Sequence, residues 1–339
     1  MKVDVQLNAP LGQEADAARR KADEGFDGVF TFEGPHDVFF PLVGAAHART
    51  SLDLMTNVAI AFPRSPMVLA HAAWDLQALS GGRFRLGLGS QVRAAVEKRY
   101  GSAFEHPAER MGEWIQAIKA IFHAWETGER LDFRGTFTTH TLMQPTFNPG
   151  PNPFGPPKVL AAALGPRMTR MAGEVADGIL IMPFNSRTHL VEHALPQLDA
   201  GLATRGQKRG EGFEVIAEVI VAAYRDDAER EVAERGVRGL LSFYGSTPSY
   251  KPVLDAEGWG DLQPELNTMS KQGRWAEMGG LIDDTVLNRL AVSGSPAACA
   301  RALVDRVGDF ADRVCFYTPY AAAPDLPAAV LAEIRSLES

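Results

Sequence analysis

The segment Glu33-Gly34-Pro35-His36-Asp37 sets a carboxylate and an imidazole in one short loop beside Phe30, Phe32, Phe39 and Phe40. A carboxyl among aromatic rings has its proton affinity tuned by burial, and histidine titrates near neutral pH, so the pair suits proton transfer. The competing reading is a solvated loop carboxylate or a helix cap. Gly87-Leu88-Gly89-Ser90-Gln91 follows an apolar run, as a dinucleotide fingerprint does. It lacks the third glycine, and no acidic residue ends a clear second strand about 20 positions later. Such a Gly-x-Gly-Ser still lets backbone approach a flat ligand, or else its glycines serve packing alone. In Ala162-Ala163-Leu164-Gly165-Pro166-Arg167-Met168-Thr169 a strand runs into a helix start, where backbone N–H groups bind phosphate and Arg167 or Arg170 could add charge. An ordinary Gly-Pro helix start is the alternative. His189 and His193 have helical spacing for a zinc pair, but no third ligand presents itself, so a solvated helix surface is the expected reading and no metal is expected. No Gly-x-Ser-x-Gly elbow occurs, so hydrolysis is poorly supported.

These groups need a scaffold, and the apolar pattern supplies one. Runs at Lys2–Leu7, Gly28–Phe32, Leu52–Ile60, Phe84–Leu88, Lys158–Ala163, Gly178–Met182, Glu214–Ala223 and Arg313–Tyr317 read as strands. Helical patterns intervene, among them Gln13–Glu24, Pro66–Leu79 (stopped at Ser80-Gly81-Gly82) and Glu109–Glu126. Strands alternating with helices imply parallel βαβ units, and eight of them a closed (β/α)8 barrel. The 339 residues exceed a standard barrel of about 250. Two irregular stretches nearly account for the surplus. Residues 131–157 read as a hairpin and a Pro-rich loop, and 237–290 as a segment of aromatic and Gly-rich turns. Both read as insertions, so residues 1–339 are expected to form one domain.

A formal charge of −8 lacks the footprint of a nucleic-acid binder. Cys299 and Cys315 show no Cys-x-x-Cys spacing and read as buried apolar residues. No apolar run approaches the roughly 18 residues of a membrane span, and Asp4 interrupts any signal-like start. A soluble, cytoplasmic protein is expected.

Taken together, Arg64-Ser65-Pro66, the Asp75–Phe84 stretch (DLQALSGGRF), Gly87–Gln91 and Ala172–Gly178 (AGEVADG) resemble the bacterial luciferase-like family, from about residue 3 to residue 318. Within it the chain is most similar to the actinobacterial branch that uses the deazaflavin coenzyme F420, and Phe243–Tyr250 (FYGSTPSY) resembles one subfamily of that branch. The resemblance implies a (β/α)8 barrel whose third strand backs the cofactor ring with a bulge and a non-proline cis peptide, here Asn57–Val58. It implies cofactor contacts at Ser90 and Gln91, and a phosphate loop at Ala163, Leu164, Gly165 and Pro166. Where relatives carry an Asp-His pair after the second strand, this chain has Glu33-Gly34, with His36 two places on. Glu33 and His36 are therefore the candidates for handling the proton. Phe39, Phe40, Arg64, Phe184, Tyr244 and Tyr250 are expected to wall a small-molecule substrate. The implied activity is hydride transfer between F420 and an organic substrate such as an enone or imine. An FMN-dependent monooxygenase is the alternative, and a non-catalytic flavin-binding barrel a third reading. The resemblance also implies a homodimer.

Overall fold

The computed structural model describes residues 1–338 and shows eight parallel strands closed into a barrel. They are β1 (Lys2–Gln6), β2 (Gly28–Thr31), β3 (Asp53–Thr56), β4 (Phe84–Gly89), β5 (Lys158–Ala163), β6 (Gly178–Ile181), β7 (Glu214–Ala223) and β8 (Arg313–Tyr317). Val314 pairs with Val3 on one side and Ala217 on the other, which closes β8 between β1 and β7. All eight expected strands are present. The third is broken, because the chain bulges at residues 57–58 before rejoining β4 through Ala59–Ile60. Helices cover the outside. The helix Pro66–Leu79 starts where Ser65 accepts a hydrogen bond from the Val68 N–H (3.3 Å) and stops at Gly81 and Gly82, whose φ angles of 67° and 85° suit glycine. The helix Pro107–Thr127 buries Met111, Trp114, Ile115, Ile118, Ile121, Phe122 and Trp125 along one stripe.

Side chains alternate along each strand, so every second residue points into the barrel. At the N-terminal end that alternation collects charge: Asp4, Asp53, Arg85, Lys158, Glu214 and Arg313 form one ion-pair network. Above it lies an apolar layer of Phe30, Met55, Leu160, Leu180, Ile216 and Cys315. Val58 and Ala162 pack on that layer toward the C-terminal ends of the strands. The barrel is thus filled by an ionic layer at its N-terminal end and an apolar layer above it.

Of the two irregular stretches, 131–157 forms the expected hairpin, Phe133–Arg134 pairing with Thr139–His140. The stretch 237–290 differs from the turn-rich expectation. It is mostly helical and belongs to a run that begins earlier, with Asp227–Gly245, followed by Lys251–Ala256, Leu262–Lys271, Trp275–Met278 and Asp284–Leu290. Ala233, Val237 and Leu241 recur at helical spacing and bury one face, a stripe that the intervening Gly236 and Gly239 obscure in the sequence. Together with Val253, Leu254, Leu266 and Leu287 they form a second apolar cluster, anchored on Phe184, Ile220 and Ala222 of the barrel. Among the described residues, no helix is long and apolar enough to cross a membrane.

Candidate active site

Seven of the eight strands send residues named below to the C-terminal mouth, where barrels carry their chemistry. The peptide Asn57–Val58 is cis, as expected. Its bulge is fitted to β4: the Thr56 hydroxyl donates to the Gly87 carbonyl (2.8 Å) and accepts from the Gly87 N–H (2.9 Å). A Cβ at Gly87 would collide with the Thr56 carbonyl, and one at Gly89 with the Val58 side chain. The two glycines therefore serve close approach of β4 to this bulge. Asn57 is buried, and its Nδ2 has no hydrogen-bond partner among the described residues. A buried amide N–H without an acceptor is uncommon and marks a place where a ligand can supply one.

Ser90 and Gln91 follow β4 at the rim. Gln91 is exposed, has φ 57°, and its own Oε1 accepts from the Val92 N–H at 2.9 Å. The Ala163–Pro166 loop ends β5 and turns into the helix Pro166–Val175, with Gly165 as its extended N-cap and open space on the side where a Cβ would stand. The first backbone N–H groups of that helix are free of intrahelical partners, which suits an anion. Arg167 and Arg170 do not complete such a site unaided, being paired with Glu109 and Glu174.

At the end of β2 the two proton-handling candidates part company. Glu33 is held on both oxygens: Arg64 donates to each at 2.7 Å, and the Ile60 N–H donates to Oε2 at 2.8 Å. Arg64 also reaches Asp37 (3.1 Å), and its guanidinium lies 5.7 Å from the Phe39 ring centre. Burial disfavours the Arg64 charge, but the Glu33 and Asp37 carboxylates outweigh it and raise its pKa. This geometry makes Glu33 and Arg64 a rim clamp. His36, by contrast, is exposed and forms no hydrogen bond or ion pair among the described residues. Phe40 is 71% exposed on the same rim.

The opposite wall is aromatic. Phe184 is fully buried, with Tyr244 and Tyr250 at ring-centre distances of 6.0 and 6.1 Å. Both tyrosines are partly buried against the second apolar cluster, to which Phe184 belongs. Tyr244 is coupled to Tyr317 of β8, and burial raises both phenol pKa values.

One residue of this site is absent from the candidates that the sequence offers. Glu218 stands two positions beyond Ile216 on β7, above the apolar layer and across the barrel from β3. It has no cationic partner among the described residues. Burial pushes its carboxyl up to about 8, with the adjacent Asn57 amide pulling the other way. The signal that could have found it is a second acidic residue on the inward register of β7, four positions beyond Glu214 and flanked by apolar residues. His189 and His193 gather no further ligand, no group of three metal-ligating side chains occurring among the described residues; His193 is exposed, but His189 is buried rather than solvated, its Nδ1 engaged with the Asn185 Oδ1 at 2.8 Å.

Against known proteins, the family model for luciferase-like monooxygenases matches residues 2–313. An uncharacterized protein of Mycobacterium tuberculosis is 48% identical over 314 residues, covering 93% of this chain and 92% of the relative. The F420-dependent glucose-6-phosphate dehydrogenase of Nakamurella multipartita is 29% identical over 272 residues, 77% of each chain. Among solved structures, the coenzyme F420 dependent tetrahydromethanopterin reductase of Methanopyrus kandleri superposes with a TM-score of 0.77 at 16% identity, over 98% of this chain and 96% of that one.

Proposed function

The chain belongs to the luciferase-like monooxygenase family, and from that premise we propose that this enzyme transfers a hydride between coenzyme F420 and a small unsaturated organic substrate, of the enone or imine kind. The observation that carries the reading is the floor of the mouth, where Val58 and Ala162 offer an apolar bed beside the unpartnered Asn57 amide. That combination of flat apolar support and one convergent donor suits a planar heterocycle. F420-dependent relatives sharing most of this chain's length favour the deazaflavin over FMN. When bound, F420 supplies the two-electron chemistry.

The protein's residues do the rest. Val58 and Ala162 would bear one face of the ring, with Asn57, Ser90 and Gln91 at its edges. The loop Ala163-Leu164-Gly165-Pro166 would hold the phosphate. His36, exposed on the β2 rim, is the group there able to exchange a proton with substrate, through an imidazole nitrogen. Glu33 and Arg64 position that rim. Phe39, Phe40, Tyr244 and Tyr250 would exclude water from the substrate, with Phe184 behind them. In this reading residues 1–338 form one decorated barrel, the helical stretch serving as a wall of the mouth.

Titration of the purified protein with F420, followed by its fluorescence, and separately with FMN tests the cofactor. F420 should saturate one site per chain, with FMN weaker by about tenfold or more. Tight FMN binding without detectable F420 binding would overturn the proposal in favour of a flavin monooxygenase.

A further inference from the structure

We propose that Glu218 and Asn57 form a hydrogen-bonding pair that reads an acceptor–donor–acceptor edge, the imide of a flat heterocycle, at the floor of the mouth. The inference rests on the reading of that mouth as a flavin or deazaflavin site, since both ring systems carry such an edge.

Three observations support it. Asn57 is buried, and its Nδ2 lacks an acceptor among the described residues. Glu218 lies beside that amide, near enough for it to favour the carboxylate but outside hydrogen-bond geometry, and meets no cation among them. Every neighbour that electrostatics couples to Glu218 is neutral at ordinary pH: Asn57 from the bulge after β3, Cys315 and Tyr317 from β8, and Tyr244 from the helix Asp227–Gly245. An un-ionised carboxyl presents a carbonyl acceptor and an O–H donor side by side, and the Asn57 amide adds a second donor. Donor, acceptor and donor complement the two carbonyls and the N–H of an imide. With its carboxyl held at about 8, Glu218 keeps the required proton at neutral pH. Above that value the proton leaves, and a carboxylate then faces a ligand carbonyl, so affinity must fall.

Fluorescence titrations of F420, and separately FMN, into the full-length protein test the pair when run from about pH 6 to about pH 9.5. For wild type the Kd is expected to be flat at low pH and to rise toward about tenfold per pH unit above the Glu218 transition. Glu218→Gln, which keeps a donor and an acceptor without a titratable proton, should bind within about threefold of wild type at neutral pH and lose the slope. Asn57→Ala should weaken binding by roughly tenfold or more at all pH values. Should Asn57→Ala fail to fold by circular dichroism, the isosteric Glu218→Gln still separates the outcomes. A flat wild-type profile, or a slope that survives in Glu218→Gln, overturns the pair while leaving the cofactor reading intact. Failure of wild type to bind either ring overturns that reading and this inference with it.

Discussion

Arg64 and Glu33 meet through two parallel hydrogen bonds, the geometry in which guanidinium and carboxylate bind most firmly. With the Glu33 side chain 6% exposed and that of Arg64 18%, losing one partner strands the other in a poorly solvated place. Arg64→Ala is therefore expected to cost about 2–3 kcal/mol in urea unfolding, below the usual figure for a fully buried pair because Arg64 keeps some solvent. A double-mutant cycle with Glu33→Ala should return a coupling of at least about 1 kcal/mol. A coupling near zero would mean that the two side chains do not act as a clamp. At this same scale the sequence was informative but incomplete. Residue types around Glu33 and His36 pointed to proton chemistry. Nothing local showed that Arg64, 31 positions away, occupies both oxygens of Glu33.

At the scale of elements, the bulge after β3 and the glycines of β4 form one fitted unit. Gly89 exists because Val58 fills the space a Cβ would need. Gly89→Ala should destabilise the fold by about 1–3 kcal/mol through overpacking and weaken cofactor binding by displacing Val58. Adding Val58→Ala should recover most of the stability but not the binding, as read by thermal melts and F420 titration. If Gly89→Ala melts and binds like wild type, the bulge is not fixed by this contact. The sequence motifs that carried the family resemblance have comparable structural causes. Gln77 accepts from the Phe84 N–H (3.2 Å), and Asp177 accepts from the Val159 N–H (2.8 Å) while pairing with Lys119 (2.6 Å). They are legible in a sequence because tight joints between elements admit few residue types.

Across the whole molecule, the ionic network below the apolar layer ties β1, β3, β4, β5, β7 and β8 together. Within it Arg85 holds Glu214 at 2.7 Å and Lys158 holds it at 2.9 Å. Burial opposes the Glu214 charge, but these two cations prevail and lower its carboxyl to about 2. A carboxyl depressed on folding stabilises the folded state above its unfolded pKa, and that contribution fades as pH falls through the folded value. The protein should accordingly lose about 2–3 kcal/mol of unfolding free energy from this group as pH drops from about 4.5 to about 2. Glu214→Gln should flatten that part of the profile in urea titrations, and an unchanged acid limb would refute the assignment.

The sequence by itself determined the eight strands, the helices with clean caps and the barrel class, because period-two and period-3.6 patterns and glycine stops are local consequences of backbone geometry. It also carried, through the resemblance, the cis bond at Asn57–Val58. Tertiary structure alone decided that Glu33 is clamped while His36 stands exposed, that the stretch around 237–290 is helical and packed on the barrel, and that Glu218 comes to lie beside Asn57. These are contacts between residues far apart in the chain. Closing the sheet fixes them, and no local pattern encodes which inward-facing side chains will meet at its centre.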